Sequence, residues 1–263
     1  MLKEIIKKII GKIKYQPFFE QLYRIGLKGM NYGSGDYMET SGELNAISMC
    51  LINKKDNVVF DVGANIGKYT STVHAHLGNK IAAIHAFEPS LKTYTQFSEN
   101  TKGISNLHAN QLALSSQNGS LTLYSDKDSS GLASVYDRDL TFINKTLHQT
   151  EYITTQTLDS YCEENRIHAI DFLKMDVEGH ELEVLKGSER MIKERKIKAI
   201  QFEFGGCNID SRTYFKDFFT HLNPHYKIYR IVKDGIVPIE KYREDLEIFM
   251  TINYLAILRN DHQ

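Results

Sequence analysis

Asp61 closes a short apolar run, Val58-Val59-Phe60, and opens the loop Asp61-Val62-Gly63-Ala64-Asn65-Ile66-Gly67. Glu88 ends another run, Ile81 to Phe87, and Pro89 follows it. Asp176 ends the run Ile170 to Met175 and heads the stretch Asp176-Val177-Glu178-Gly179-His180-Glu181. Glu203 lies near the end of Ala199 to Phe204. In open parallel sheets the carboxyl ends of strands are where ligands bind. Acids placed there can hold cations, accept hydrogen bonds from hydroxyls or take up protons.

The loop after Asp61 narrows the choice of ligand. Gly63 and Gly67 allow the backbone to approach a ligand and to turn into a helix. A dinucleotide fingerprint, G-x-G-x-x-G, would carry a middle glycine where a pyrophosphate presses closest, and that glycine is absent. A carboxylate about 6 Å from a pyrophosphate would also cost about 3 kcal/mol at an effective dielectric of about 20. S-adenosylmethionine has no phosphate, and its ammonium and sulfonium both favour a nearby carboxylate. Glu88 can accept both hydroxyl protons of a ribose, which suits this cofactor and NAD alike. The cofactor-binding candidates are Asp61, Gly63, Asn65, Gly67, Glu88, Pro89 and Asp176. Asp61 and Glu88 could instead serve only as strand-end caps.

The second acidic stretch points to the other reactant. In a doubly wound sheet its strand lies beside the first, so Asp176 faces the same cleft as Asp61. His180 and Asp176 are candidates for taking a proton from an acceptor hydroxyl, with Glu203 as a third catalytic candidate. Glu178 and Glu181 also fit a purely structural role at a helix N-terminus, where negative charge is favoured. Asp176 and Glu203 are the pair that would hold a divalent cation through oxygen ligands. Two acids do not require one, so the primary expectation is a site without metal. The polar, irregular stretch 125–150 is long enough to be a functional loop. Its Ser130 and Ser134, together with Glu178, are the substrate-binding candidates.

Alternating strand and helix patterns must position these residues. After the first strand a helix is expected from about Ile66 to Leu77, and after the second from Leu91 to Asn100. Asn106 to Leu114 holds a third strand and Leu121 to Tyr124 an extra one. Thr157-Leu158-Asp159 opens a helix to about Asn165. Helices are also expected over Glu181–Glu194 and Tyr214–Leu222. The tail reads as a hairpin turning at Lys233-Asp234-Gly235, with a last strand near Ile252 to Leu258. Repeated β-α units predict an α/β fold with a mostly parallel sheet, helices on both faces and an antiparallel edge strand.

Before this fold, residues 1–53 read as a helical cap, leaving 54–263 as the cofactor-binding domain. Leu2, Ile5, Ile6, Ile9, Ile10 and Ile13 alternate with lysines as in a basic amphipathic helix. Such a segment over residues 1–14 could touch an anionic membrane surface or pack in a homodimer. The chain has 263 residues and a formal net charge of −1, so no basic excess favours nucleic acid. Three scattered cysteines argue against a disulfide framework. With no long apolar run and no secretory signal pattern, the expected location is cytoplasmic, with the inner membrane face as an extension.

Taken together, these residues resemble the FkbM family of methyltransferases. The matching pieces are Ser41-Gly42-Glu43, Phe60 to Gly67, Phe87-Glu88-Pro89, Thr157-Leu158-Asp159, Ile170 to Glu181, Leu185-Lys186-Gly187 and Phe202-Glu203-Phe204. The resemblance covers roughly residues 41 to 205. It implies a class I methyltransferase fold with a seven-stranded Rossmann-like sheet and S-adenosylmethionine as cofactor. It also implies O-methylation of a small-molecule or glycan acceptor. Two rivals remain at this point: an NAD-dependent oxidoreductase, and a non-catalytic protein that merely retains the cofactor pocket.

Overall fold

Each apolar run of the central segment becomes a strand. The computed structural model describes residues 9–34, 38–126 and 131–260. In chain order the strands are β1 (Asn57–Val62), β2 (Ile81–Phe87), β3 (Leu107–Asn110), β4 (Ala113–Leu114), β5 (Gly119–Ser125) and β6 (Gln149–Gln156). They continue with β7 (Phe172–Met175), β8 (Ala199–Phe204), β9 (Tyr226–Val232), β10 (Gly235–Ile239) and β11 (Ile252–Leu258). The helices used below are α1 (Gln16–Gly29), α2 (Glu43–Leu51), α3 (Lys68–Leu77), α4 (Leu91–Asn100), α5 (Leu158–Glu164), α6 (Glu181–Lys186), α7 (Glu189–Lys193) and α8 (Phe215–Leu222).

The main sheet has eight strands in the order β10-β9-β11-β8-β7-β1-β2-β3. β1, β2, β3, β7 and β8 pair in parallel, whereas β11 runs antiparallel between β8 and β9. The hairpin at Lys233-Asp234 adds β10 as an antiparallel edge, one strand beyond the seven expected. The chain moves outward from β1 through β2 and β3, then returns to the other side of β1 with β7. That reversal opens a crevice at the carboxyl ends of β1 and β7.

The alternation of side chains along each strand divides the chemistry between the two faces. Phe60, Val62, Leu173, Met175, Ile200 and Phe202 belong to one apolar cluster. On the opposite face Val59, Phe172, Ala199 and Leu255 pack against Ala46, Ile47 and Leu51 of α2 and Val73 and Leu77 of α3. Two residues further along the strands, that same face carries Asp61, Lys174 and Gln201, which lie side by side in register. The sheet is thus greasy at the amino ends of its strands and polar at the carboxyl ends, where the site lies.

Three elements differ from expectation. The run 106–114 splits between two sheets, because β4 pairs with β6 in a three-stranded sheet of order β4-β6-β5. The helix expected over Glu181–Glu194 is broken at Gly187-Ser188 into α6 and α7. A Cβ on Gly187 would lie 2.0 Å from the Ser115 carbonyl oxygen, so the strand end presses directly on the helix backbone there. The Asp159 carboxylate then accepts from the backbone N–H of Arg190 and Met191 and caps the second piece. Finally, Gly11 takes a left-handed φ of 72° and Ile13–Tyr15 forms a short 3-10 turn. A continuous helix through residue 14 is therefore not formed, and residues 1–8 lie outside the described residues. The helix is α1 instead, with Pro17 in its first turn and Phe18, Leu22, Tyr23 and Ile25 exposed. Among the described residues no helix is long and apolar enough to cross a membrane.

Candidate active site

A cleft of about 700 Å³ opens at the carboxyl ends of β1, β2, β7 and β8. On one side it is lined by Gly63, Asn65, Phe87, Glu88 and Pro89, and on the other by Asp176, Glu178, His180 and Glu203. The segment 131–143, which follows β5, forms its outer wall with Leu132, Val135, Leu140 and Phe142.

The glycine loop is held by its own backbone. The N–H groups of Gly63 and Ala64 donate to the Phe87 carbonyl, and Gly67 N–H donates to Ala64. Gly63 has φ 79°, and a Cβ there would lie 1.9 Å from the Asp176 carbonyl oxygen. Only glycine lets the β1 and β7 loops approach this closely. Gly67, with φ 86°, faces Phe97 and Thr101 of the following helix layer rather than the cleft. Asn65 is also left-handed, and its N–H donates to Glu88 at 3.0 Å, while Ser90 N–H donates to the other Glu88 oxygen at 3.1 Å. Burial pushes the Glu88 carboxyl up to about 7, against the pull of these two donors.

Asp61 stands apart from its neighbours in the loop. It is fully buried and does not line the cleft. Thr70 donates to its Oδ2 at 2.6 Å, and Lys174 Nζ sits 3.3 Å from its Oδ1. The same ammonium lies 3.5 Å from Asp176 and 5.0 Å from the centre of the Tyr69 ring. Burial works against the Lys174 charge, but Asp61, Asp176 and Glu43 outweigh it and raise its pKa. The sequence expects a direct contact between Asp61 and a cofactor; in this structure the Asp61 carboxylate is instead buried behind the cleft, turned to Lys174 and Thr70.

The acidic side gathers Asp176, Glu178 and Glu203, and one oxygen of each lies within 4.8 Å of the others. Two unit charges at that spacing repel by about 3.5 kcal/mol at an effective dielectric of about 20. Glu178 takes a left-handed φ of 52° and receives Arg138 Nη1 at 2.5 Å. Arg138 also reaches Asp210 at 3.3 Å. Burial and the charge of Asp176 raise Glu178 to about 7 despite Arg138. Burial, then Asp176 and Glu178, push Glu203 well above the carboxylate range. Glu181 turns away from this group and accepts from the N–H groups of Val177 and Gly179. It fills the helix-start role.

His180 lines the cleft but both ring nitrogens are engaged. Nε2 is 2.9 Å from the Ser115 hydroxyl and Nδ1 is 3.2 Å from the Tyr136 hydroxyl. Burial lowers its pKa to about 4, so the ring is a neutral, weak base. Ser134 donates its hydroxyl to the Glu178 carbonyl at 2.8 Å, which ties the outer wall to the acidic loop. Ser130 lies outside the described residues.

Four contributors are not singled out by the sequence. Lys174 is the one charged residue in β7, and a buried charge in so apolar a strand is the signal that could have found it. Gln201 and Glu43 join through a 2.6 Å hydrogen bond behind the cleft, and the alternation of Gln201 with Glu203 places both on one face. Arg138 gave no such signal, because nothing local in an irregular segment tells where an arginine will point.

The sheet order and the cleft at its switch point define a class I methyltransferase-type α/β domain. The methyltransferase FkbM domain profile matches residues 61–229, and the chain belongs to the FkbM methyltransferase family. It is similar to the 2-O-methyltransferase NoeI of Sinorhizobium fredii, with 26% identity over 152 residues, 54% of this chain and 61% of that protein. It is similar also to the hexuronic acid methyltransferase AglP of Haloferax volcanii, with 26% identity over 166 residues, 62% of this chain and 64% of that protein. Each match thus spans under two thirds of the relative's length. Among solved structures, a crystal structure of an FkbM methyltransferase from Methylobacillus flagellatus superposes with a TM-score of 0.46 and 17% identity, over 76% of this chain and 43% of that one.

Proposed function

We propose that this chain is an S-adenosylmethionine-dependent O-methyltransferase acting on a hydroxyl of a sugar or glycan. The observation that carries this reading is the pairing of two unlike walls across one cleft: Gly63, Asn65 and Glu88 face Asp176, Glu178 and Glu203. The family supports methyl transfer, and the printed activities of NoeI and AglP favour a sugar acceptor.

The residues on the first wall fit the cofactor. Each Glu88 oxygen accepts one backbone N–H and keeps a lone pair for a ribose hydroxyl. Phe87, Leu112 and Leu114 offer an apolar surface for a flat ring. Asp61 acts through Lys174, which it holds beside Asp176. When bound, S-adenosylmethionine supplies an electrophilic methyl on sulfur. The chain must hold the acceptor oxygen close to that methyl and in line with it. Glu203 is the carboxylate best placed to take the hydroxyl proton: it lines the cleft with no donor of its own among the described residues, and in its ionised form it is a stronger base than an ordinary carboxylate. Asp176 orients the same hydroxyl. His180 positions the wall through Ser115 and Tyr136 rather than taking the proton itself.

Transfer of labelled methyl from S-adenosylmethionine to a panel of glycosides and non-sugar alcohols tests this reading. Labelled glycosides with unlabelled alcohols are expected. Cofactor binding without transfer to any acceptor would favour a non-catalytic role, and tighter binding of NAD than of S-adenosylmethionine would overturn the proposal.

A further inference from the structure

The acidic wall holds more carboxyl groups than its own cations answer. Lys174 is shared between Asp61 and Asp176, and Arg138 between Glu178 and Asp210. Glu203 is only 8% exposed, lines the cleft, and has no hydrogen-bond donor or ion partner among the described residues. A buried carboxylate without donor or cation is costly, and it persists where a ligand completes it.

The geometry fits a cation. One oxygen from each of Asp176, Glu178 and Glu203 falls within 4.8 Å of the others. Oxygens bound to one hard divalent ion at about 2.1 to 2.4 Å can be no further apart than about 4.8 Å. All three ligands are carboxylates, the donor type that favours magnesium, manganese or calcium over softer metals. β7 and β8 are adjacent in the sheet and supply Asp176 and Glu203, while the left-handed turn at Glu178 carries the third carboxylate to the same point.

We propose that Asp176, Glu178 and Glu203 bind one divalent, oxygen-preferring cation on the acceptor side of the cleft. Each carboxylate gives one oxygen to the ion and keeps the other. Three protein ligands leave positions open on the ion, and an acceptor hydroxyl oxygen can take one of them. Glu203 retains its second oxygen for the hydroxyl proton. The proposal deepens the methyltransferase reading and rests on it for the identity of the acceptor, but cation binding itself does not depend on it.

Manganese binding to the full chain, followed by electron paramagnetic resonance without cofactor or acceptor, is the test. One saturable ion per chain is expected, displaced by magnesium or calcium. Affinity should fall at least about tenfold in Glu203→Gln and in Asp176→Asn, since loss of even supporting groups at metal sites costs that much. Asp176 is partly exposed, so its variant remains informative should Glu203→Gln fail to fold. Calorimetry with S-adenosylmethionine on the same samples separates the two claims. Cofactor binding without manganese binding in the millimolar range overturns the cation site alone, as does manganese binding unchanged in both variants. Manganese binding without cofactor binding keeps the site and sinks the methyltransferase reading.

Discussion

The two walls of the cleft differ in how far they are satisfied before any ligand arrives. On the glycine side, Gly63, Ala64, Asn65 and Gly67 all spend their N–H groups inside the protein, and Glu88 has a donor on each oxygen. On the acidic side, Glu203 has no donor among the described residues, and its neighbours share their cations with acids outside the cluster. The first wall is a finished surface that a cofactor can lie on. The second is an incomplete one that an acceptor, a cation or both must complete. Lys174 joins the walls, since it reaches Asp61 behind the loop and Asp176 at the cleft.

Breaking that joint should give the largest effect. Lys174→Met would leave Asp61 buried and unopposed, which costs about 3–5 kcal/mol when one partner of a buried pair is removed. Urea denaturation should show this loss. A change under about 1 kcal/mol would mean that Thr70 alone suffices for Asp61 and that the walls are independent.

Gly63→Ala attacks the finished wall. The new methyl would overlap the Asp176 carbonyl at 1.9 Å and sit on a backbone with φ 79°, so both loops must move. About 2–4 kcal/mol of stability should be lost, together with S-adenosylmethionine binding. Retained cofactor affinity in a folded Ala variant would show that the close approach of β1 and β7 does not shape the cofactor surface.

What the sequence revealed follows the same division. The glycine wall was legible because its features are local: a strand end, left-handed glycines and an acid after the next strand. The helix Leu91–Asn100 and the hairpin turn at Lys233-Asp234 were read for the same reason. The acidic wall was legible in its members and not in their partners. Asp176, Glu178, His180 and Glu203 are legible, but Tyr136 and Arg138 come from the irregular segment after β5 and Ser115 from the end of β4, and tertiary contacts bring both segments to the site. The seclusion of Asp61 was hidden too, because it depends on which face of β7 Lys174 takes. Likewise, the break of a helix at Gly187 is decided by the Ser115 carbonyl, over 70 residues away in sequence.

The next effect sharpens the cofactor wall through pH. Glu88 must be ionised to accept both ribose hydroxyls, and its pKa in the free protein is raised to about 7. As pH falls through that value, the protonated fraction rises and affinity drops. S-adenosylmethionine should bind about tenfold more weakly at pH 6 than at pH 8, roughly 1.4 kcal/mol. In Glu88→Gln, affinity should be lower at pH 8 and nearly flat across that range. A wild-type profile as flat as the variant's would remove Glu88 from ribose binding.

The smallest expected effect has the opposite sign to the first. Without a divalent cation, Glu203 has no donor among the described residues and faces Asp176 and Glu178, so above the ordinary carboxylate pKa the folded chain must either hold a repelled buried charge or take up a proton that the unfolded chain has released, and both cost stability. Glu203→Gln removes that ionisation cost, keeps the shape and adds an amide that can donate to those same carboxylates. With chelator present at neutral pH, the variant should be more stable than the wild type by about 1 kcal/mol, read as a higher urea midpoint at unchanged slope. Methyl transfer should be lost in the same variant. Gain in stability with loss of activity is what an incomplete wall predicts, because the strain removed is the capacity to bind. A destabilised variant would mean that Glu203 already has what it needs, and the contrast between the two walls would fail.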